Sequence, residues 1–469
     1  MKVSNKIVVV GSGPGGSITA LNLLKSGFDV LLIEKGDVIN IRDLQQYSYD
    51  EMYLKYKNAG LNVTLGSPRI NYVEGSCFGG GSEVNSGLYH RLPTDKLIEW
   101  KDQFGLEYNL DQLEGIYSDI EKKINISYAD KEDIPPASYK LLEGSKNLGL
   151  NCLEIPRWVK KTKEGLVKQS MSETYLDEYI KIGGRYLCNT SLLKIRKTNN
   201  LYYLDIKVNN NIEKYRCEIL FLCCGPINSP FVLRKSGITK NIGNSLKLHP
   251  SFKFISKFTD VVNKSDMGVP VHQIKGFENI SMGCSVSNKG YLSIGLNDSG
   301  NYSEIKNWKK LASYYVMISP EGSGKIKSFP YLNSPVVYFN LTSEDIKTLY
   351  KGIQILADVL FSAGAVSLFP SVDKNLTIND KMDVGKIIEL SKQKLNLMTI
   401  HLFSSLRMGK EKENYATNPY GKLWDHKNIY INDGSILCDS PGVNPQGSIM
   451  AFAKYNIENF INEKKINEV

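Results

Sequence analysis

Short apolar runs, each bounded by glycine or polar residues, mark the start of the chain. Ile7–Val10 is a β-branched run typical of a buried strand, and a glycine-rich turn follows it. Apolar residues then recur at helical spacing through Ser17–Lys25, and Gly27 marks the end of that helix. Val30–Ile33 is a second apolar run that ends just before Glu34. This pattern predicts a strand–turn–helix–strand unit.

Beyond this unit the pattern changes several times. Residues 37–74 are polar and tyrosine-rich without a clear period, which indicates an excursion outside the main sheet. Residues 95–180 indicate helices and connectors, with an amphipathic helix over Leu110–Ile124. Further strands are predicted at Arg185–Leu187, Leu192–Thr198, Tyr202–Val208, Tyr215–Leu222, Phe252–Phe258, Gly290–Gly295, Tyr314–Ile318 and Val336–Phe339. Two later helices are predicted over Ser343–Ala363 and Ser448–Glu463.

The order of these elements predicts an α/β fold in two joined domains. The chain has 469 residues, which is more than one average domain. We expect a Rossmann-type nucleotide-binding domain over residues 1–250, with a helical excursion over about 95–180. Residues 251–392 would form an inserted sheet-plus-helix (α+β) substrate-binding domain, and residues 393–469 would return to the first domain.

Composition narrows the classes of protein. Hydrophobic residues make up 42% and charged residues 23%, as in globular proteins with a large core. The net charge is +9, but no compact Lys/Arg block occurs, so we expect no nucleic-acid partner. The eight cysteines form no C-x-x-C pair, so we expect no metal site and a reduced protein. Residues 1–6 are too short and polar for a signal peptide, and no apolar stretch reaches the ~18–20 residues of a transmembrane helix. We therefore expect a cytoplasmic protein without a transmembrane segment.

The turn after the first strand has the spacing of a dinucleotide-binding loop. Gly11 allows the tight turn, Gly13 lets the backbone approach a pyrophosphate, and Gly16 permits close packing of helix on strand. Glu34, about 20 residues downstream, can accept hydrogen bonds from ribose hydroxyls. An acid at this position argues against NADP but leaves NAD and FAD open. The candidate cofactor-binding residues of the loop are Gly11, Gly13, Pro14, Gly15 and Gly16.

Five blocks of the sequence occur in the order typical of the glucose–methanol–choline (GMC) oxidoreductases. They are the N-terminal unit, residues 75–91, residues 225–250, residues 401–409 and residues 431–448. Each block resembles a signature of that family, and together they run from residue 7 to about 457. The resemblance implies an FAD cofactor, a Rossmann-type FAD-binding domain with an inserted substrate domain, and oxidation of an alcohol.

The resemblance also implies a set of cofactor contacts. Gly80, Gly81 and Asn85 would lie against the pyrophosphate and the flavin, where consecutive glycines present unobstructed N–H groups. In some members a His directly before this Asn bonds covalently to the flavin. Here that residue is Val84, so we expect noncovalent FAD. Further cofactor contacts are expected from Leu192, Asp433, Gly434 and Pro445.

Catalysis is expected at His401 and Asn444, because the resemblance places both beside the flavin. A His there serves as acid/base for the substrate hydroxyl, since removing that proton makes the carbon a better hydride donor. Asn444 would orient the substrate oxygen, although in a Pro-Gly-Val-Asn-Pro segment it could also be a turn former. Ser404-Ser405 replace the family's Gly-Thr, and Asp439-Ser440 lengthen the last block without an evident reason.

The remaining histidines offer no comparable context. His249, His272 and His426 lie outside the catalytic block, and His90 stands next to the charged Arg91. The sequence alone therefore assigns them no role.

We expect FAD-dependent oxidation of the CH–OH group of a small organic alcohol by hydride transfer to flavin N5. The polar composition of residues 251–392 favours a sugar- or polyol-like substrate. The electron acceptor is open between oxygen, a quinone and a carrier protein. The alternatives are a redox-silent GMC-fold lyase, a scaffold that keeps FAD for structure, and an NAD-dependent dehydrogenase. The last would leave residues 75–91 and the C-terminal blocks unexplained.

Overall fold

The computed structural model describes residues 4–39, 44–45, 48–163, 165–199, 201–209, 211–264 and 268–467. Residues 1–3, part of the segment judged too polar for a signal peptide, lie outside this range. Within it the α-helices are Pro14–Lys25, Tyr49–Lys55, Gly81–Val84, Thr94–Phe104, Leu110–Lys123, Pro136–Asn147, Tyr175–Lys181, Gly225–Lys235, Lys289–Asp298, Ser343–Ser362, Gly385–Ile388 and Gln446–Asn467. Short 3₁₀ helices cover Lys57–Gly60, Lys131–Asp133, Tyr302–Lys310, Lys381–Val384, Lys392–Lys394 and Gly434–Ile436.

A seven-stranded sheet, called here the first sheet, is built around five parallel strands in the described residues. Their order is Arg185–Leu187, Val30–Ile33, Ser4–Val10, Asn211–Leu222 and Ile429–Ile431. Strand Leu201–Val208 extends it by antiparallel pairing with the first half of Asn211–Leu222, and strand Thr190–Thr198 pairs antiparallel with Leu201–Val208. Ile7–Val10 and Val30–Ile33 are buried, as expected for parallel strands covered on both faces. The predicted N-terminal unit and the α/β class are confirmed.

The second sheet has nine strands among the described residues. Their order is Asn62–Val63, Ile70–Tyr72, Leu397–Thr399, Ser251–Phe258, Leu311–Ile318, Ile280–Cys284, His272–Phe277 and Cys152–Glu154, with Ala365–Pro370 also paired to Ser251–Phe258. Helix Ser343–Ser362 packs against one face and joins the same apolar cluster as Phe252, Phe254 and Val316. The other face is turned toward the first sheet's loops.

Small sheets complete the described strands. They are Lys247–Leu248 with Leu402–Phe403, Gly324–Lys327 with Val336–Phe339, and Ile126–Ser127 with Arg157–Thr162 and Gly165–Lys168. The predicted strands over 314–318 and 336–339 and the helices over 110–124, 343–363 and 448–463 are confirmed within a few residues. Residues 37–74 contribute no strand to the first sheet in their described part, but they hold helix Tyr49–Lys55 and two strands of the second sheet.

The predicted strand at Gly290–Gly295 is wrong, because these residues lie inside helix Lys289–Asp298. Asn288 caps the helix by accepting a hydrogen bond from Tyr291 N at 2.8 Å. Leu292 and Leu296, four residues apart, are the buried positions, and this spacing is helical rather than alternating. Six residues are too few for their hydrophobic pattern to distinguish the periodicity of a helix from that of a strand.

The second sheet draws strands from outside residues 251–392. Asn62–Val63, Ile70–Tyr72 and Cys152–Glu154 precede that segment, and Leu397–Thr399 follows it. The boundaries expected for the domains therefore stay a prediction. In the described part of the chain no helix is both long and apolar enough to cross a membrane.

Candidate active site

A cavity of about 950 Å³ lies between the two large sheets, at the upper end of the size range of small-molecule sites. The predicted site residues that line it are Gly11, Gly13, Pro14, Gly15, Glu34, Gly80, Gly81, Asn85, Leu192, His401, Asp433, Gly434, Asn444 and Pro445. Gly16 does not line the cavity; it packs against the backbone of its own loop. Gly225 and His249 of the block 225–250 also line the cavity, so the structure brings all five sequence blocks together, while the separate role of each residue stays a prediction.

The first glycine loop is shaped by backbone contacts. A Cβ on Gly15 would lie 1.8 Å from Asn432 O, and one on Gly16 would lie 1.8 Å from Gly11 O. At Gly13, by contrast, no atom lies within 4 Å of such a Cβ. Helix Pro14–Lys25 begins here, so its unpaired N–H groups and the positive end of its dipole face the cavity. The loop suits a pyrophosphate.

Glu34 is buried at the carboxyl end of its strand and shapes one end of the cavity. Its Oε2 accepts hydrogen bonds from Ser12 N at 2.9 Å and Ser12 Oγ at 2.7 Å, and Oε1 accepts one from Gly36 N at 2.8 Å. Oε1 keeps a lone pair for a further donor. Leu192 lies nearby, because Thr190 N donates to Glu34 O at 2.9 Å. This arrangement could hold a ribose and the base beside it.

The second glycine loop contacts the first. Gly80 has φ +57°, and a Cβ there would lie 2.8 Å from Gly13 Cα, whereas a Cβ on Gly81 would point into open space. Asn85 Nδ2 donates to Gln446 Oε1 at 2.6 Å. Lys168 Nζ donates to the carbonyl oxygens of Glu83 and Asn85 at 2.8 and 2.7 Å, and its burial lowers the pKa of Lys168 to about 8. Buried Lys168 therefore holds the second glycine loop in place through these two hydrogen bonds to its backbone.

Asp433 ties the last block to the rest of the site. Its Oδ2 accepts hydrogen bonds from Gly225 N at 2.8 Å and Ser229 Oγ at 2.6 Å, and Oδ1 accepts from Ser435 N and Oγ. Burial raises the pKa of the Asp433 carboxyl. The side chain therefore anchors its loop, and the neighbouring Gly434 also lines the cavity. Pro445 directly precedes helix Gln446–Asn467, whose first turn also lines the cavity.

Two histidines meet at the other end of the cavity. His401 Nδ1 and His249 Nδ1 are 3.2 Å apart, and His249 Nε2 lies 2.6 Å from Ser440 Oγ. Burial, with a smaller contribution from the nearby Lys275 cation, lowers the pKa of His401 to about 4. Imidazole at this position is therefore neutral at neutral pH. No described residue hydrogen-bonds His401 Nε2, so that nitrogen is available to a ligand.

Polar atoms without partners surround this histidine pair. Asn444 Oδ1 is buried, lines the cavity and has no hydrogen-bond partner in the described part of the chain. His90 lies outside the cavity lining, and burial, with smaller contributions from Lys275 and His401, lowers its pKa to about 3. Orphaned buried polar atoms are costly unless a ligand or water satisfies them. The orphaned Asn444 Oδ1 therefore marks this part of the cavity as a binding site.

Several residues of the site were missed from the sequence. His249, which lacked context, contacts His401 although 152 positions separate them. Lys253 and Tyr315 line the cavity from the second sheet. The alternation Ser251-Phe-Lys-Phe was the available signal, because it places Lys253 on the face opposite the buried phenylalanines.

The departures from the family pattern have structural counterparts. Ser404 has φ +64°, the left-handed conformation that a Gly adopts more easily. Ser405 Oγ donates to Pro226 O at 2.6 Å. Ser440, whose role was open, holds His249. Asp439 lies 3.5 Å from Lys247 Nζ, so the lengthened block forms part of the site's supporting structure.

Comparisons with known proteins agree with this geometry. Residues 49–251 and 320–453 match the N- and C-terminal family models of the GMC oxidoreductases, and residues 9–60 match an NAD(P)-binding Rossmann-like domain. An uncharacterized GMC-type oxidoreductase of Sinorhizobium fredii is 30% identical over 95% of this chain and 92% of its own length. This chain belongs to the GMC oxidoreductase family. It is thus an oxidoreductase of an FAD-dependent family that acts on CH–OH donors.

More distant members of the family share the same architecture. A long-chain-alcohol oxidase of Arabidopsis thaliana is 24% identical, with 99% of this chain and 70% of the oxidase covered. Pyridoxine 4-oxidase from Mesorbium loti superposes with a TM-score of 0.75 at 16% identity, over 97% of this chain and 99% of that one. Formate oxidase from Aspergillus oryzae gives 0.78 at 15% identity over 99% of both chains. The solved structures support the GMC fold alone.

Proposed function

We propose that this GMC oxidoreductase removes a hydride from the CH–OH carbon of a small polar alcohol, with noncovalent FAD as acceptor and His401 as the acid/base. The observation that carries the proposal is the neutral imidazole of His401, whose Nε2 is open to the same cavity that the orphaned Asn444 Oδ1 lines. A base and an amide at one end of a dinucleotide-sized cavity are the groups that alcohol oxidation needs.

The residues present fit FAD. Gly13 and Gly81 leave open space where a side chain would block a pyrophosphate, and Glu34 can accept from a ribose hydroxyl. Val84 lines the cavity at the position of the covalent His of some relatives and offers no nucleophile. When bound, FAD supplies the hydride acceptor that the protein's own side chains lack.

The protein's own groups would handle the proton. His401 Nε2 takes the hydroxyl proton, while its Nδ1 is held by His249, which Ser440 holds in turn. The Asn444 amide contacts the same oxygen and stabilises the charge that develops on it. Because burial keeps His401 neutral, its Nε2 carries a free lone pair across the neutral range.

The test is the visible spectrum of the FAD-loaded protein, mixed without oxygen with a panel of alcohols and polyols. We expect one class of alcohol to bleach the flavin peaks. His401→Ala should keep FAD but lose the bleaching, whereas His426→Ala, whose side chain lies outside the cavity, should bleach as the wild type does. A flavin that no alcohol reduces, or equally fast bleaching in His401→Ala, would contradict the proposal.

A further inference from the structure

The second sheet presents a lysine to the cavity without a counter-ion. Strand Ser251–Phe258 alternates, so that Phe252 and Phe254 are buried under helix Ser343–Ser362 while Ser251 and Lys253 line the cavity. Lys253 is half-buried and lines the cavity. Among the described residues none accepts a hydrogen bond from its Nζ or forms a salt bridge with it. Burial lowers the pKa of Lys253 to about 8.

The neighbouring strand places a second donor beside this lysine. Lys253 and Tyr315 are paired in register, so their side chains stand next to each other on the same face. Tyr315 OH accepts a hydrogen bond from Gln273 Nε2 at 2.8 Å. No described residue accepts the proton of that hydroxyl. Lys253 and Tyr315 therefore offer two adjacent donors to the cavity.

No carboxylate of the cavity wall balances this charge. Glu74 forms a salt bridge with Lys57 at 2.7 Å, and the Asp433 carboxylate accepts hydrogen bonds from its own and neighbouring loops. Glu34 lies at the opposite, glycine-loop end. A second half-buried lysine adds to the positive charge. Lys275 donates to Ser281 Oγ at 3.0 Å and has no described salt-bridge partner. Buried cations are normally paired, so an anion is missing from this end.

We infer that the natural substrate is an alcohol that carries an anionic oxygen group, a carboxylate or a phosphate, and that Lys253 and Tyr315 bind this group. The inference rests on the proposed function for the alcohol part and on the unpaired donors for the anion. Lys253 lies in strand Ser251–Phe258, whereas the base His401 follows strand Leu397–Thr399. Because the two groups lie on different elements, we expect the anion and the reacting carbon to be several bonds apart, as in a terminal hydroxy acid or a phosphorylated polyol.

The test compares alcohols that differ only in charge. The FAD-loaded enzyme is assayed with 6-hydroxyhexanoate, 6-hydroxyhexyl phosphate and the neutral 1,6-hexanediol. We expect kcat/KM to be at least about 30-fold higher for one of the two anions than for the diol. In Lys253→Met the preferred anion should lose about 10- to 100-fold, as for a charge-assisted hydrogen bond, and the diol less than about threefold. The anion with the higher kcat/KM shows whether the site binds a carboxylate or a phosphate. Lys253→Arg should keep the preference, and exposed Lys325→Met is the matched control.

A binding measurement separates this inference from the proposed function. Hexanoate and hexyl phosphate cannot be oxidised at a hydroxyl, so their effect on the flavin spectrum reports binding alone. We expect the Kd of the preferred anion to rise about 10- to 100-fold in Lys253→Met. If anion binding depends on Lys253 but the enzyme oxidises no alcohol, the anion site is supported and the proposed alcohol oxidation is contradicted. If the enzyme oxidises the diol but wild type and Lys253→Met bind the anion equally, the alcohol oxidation is supported and the anion site is contradicted. Loss of FAD from Lys253→Met, with the anion preference intact, would assign the lysine to the cofactor and overturn the inference.

Discussion

The two ends of the cavity differ in how their polar groups are satisfied. At the glycine-loop end, Glu34 and Asp433 accept hydrogen bonds from their own chain, and backbone contacts set the loops. At the histidine end, Asn444 Oδ1 and Lys253 Nζ line the cavity without a described partner. The acidic groups of the first end are bonded by the chain itself, whereas polar groups of the second end are left open. The open groups at the histidine end are the ones that a reacting molecule must satisfy.

This contrast implies different consequences for mutations. Changes at the glycine-loop end should alter folding and cofactor content, because the groups there hold the chain itself. Changes at the histidine end should alter rate or specificity while leaving the fold intact. The following variants are chosen to separate these outcomes.

The largest effect is expected from Gly15→Ala. Its Cβ would lie 1.8 Å from Asn432 O, a backbone atom that cannot move aside cheaply. We expect about 3 kcal/mol or more of destabilisation and loss of FAD, measured by thermal unfolding and by the flavin to protein absorbance ratio. Gly81→Ala is the matched control, because its Cβ meets open space. It should leave the melting temperature unchanged and weaken FAD binding only. Equal melting temperatures in Gly15→Ala and Gly81→Ala would contradict the claim that the close backbone contact at Gly15 stabilises the fold.

Next in size is Asn444→Ala at the histidine end. Removal of an amide that stabilises charge on the substrate oxygen should lower kcat by about 100- to 1000-fold, with FAD content and unfolding temperature unchanged. Stopped-flow reduction of the flavin measures this directly. Asn428→Ala, at a half-buried position outside the cavity, is the control. A rate within threefold of wild type would make Asn444 the turn former that its sequence context also allowed.

The pH dependence tests the electrostatics of the same end. Burial and Lys275 lower the pKa of His401 to about 4, so its neutral, proton-accepting form is present above that pH and lost below it. In Lys275→Met the pKa should rise toward the ordinary value by up to roughly 1 unit, because burial is the larger cause and remains. The acid limb of kcat/KM should move to higher pH by the same amount. An unchanged acid limb would show that Lys275 does not influence the pKa of His401.

The smallest effect is expected from Ser440→Ala. Ser440 contacts His249 and not the ligand-facing nitrogen of His401, so its loss should cost about 1 kcal/mol, or about fivefold in kcat. The flavin spectrum should not change. A loss as large as that of Asn444→Ala would mean that Ser440 itself contacts substrate.

The same contrast explains how much the sequence could predict. The glycine-loop end depends on neighbours in the chain: Gly11, Gly13 and Glu34 lie on consecutive elements with fixed spacing, so the unit was predictable to within a few residues. The histidine end depends on contacts such as that of His249 with His401, 152 positions apart, and spacing carries no such information. The pairing of Lys253 with Tyr315 required the register of two strands. The misassigned segment Gly290–Gly295 shows the same limit, since burial on one helical face decided its structure.

The central claim is that His401 takes the hydroxyl proton of an alcohol whose hydride leaves for FAD. The most direct measurement is anaerobic single-turnover reduction of the flavin by an alcohol that the spectral panel has identified, in wild type and His401→Ala. The account predicts a reduction rate lower by about 10²- to 10⁴-fold in the variant, with equal FAD content, and a slower wild-type rate when deuterium replaces hydrogen on the CH–OH carbon. Equal rates in the two proteins would contradict it.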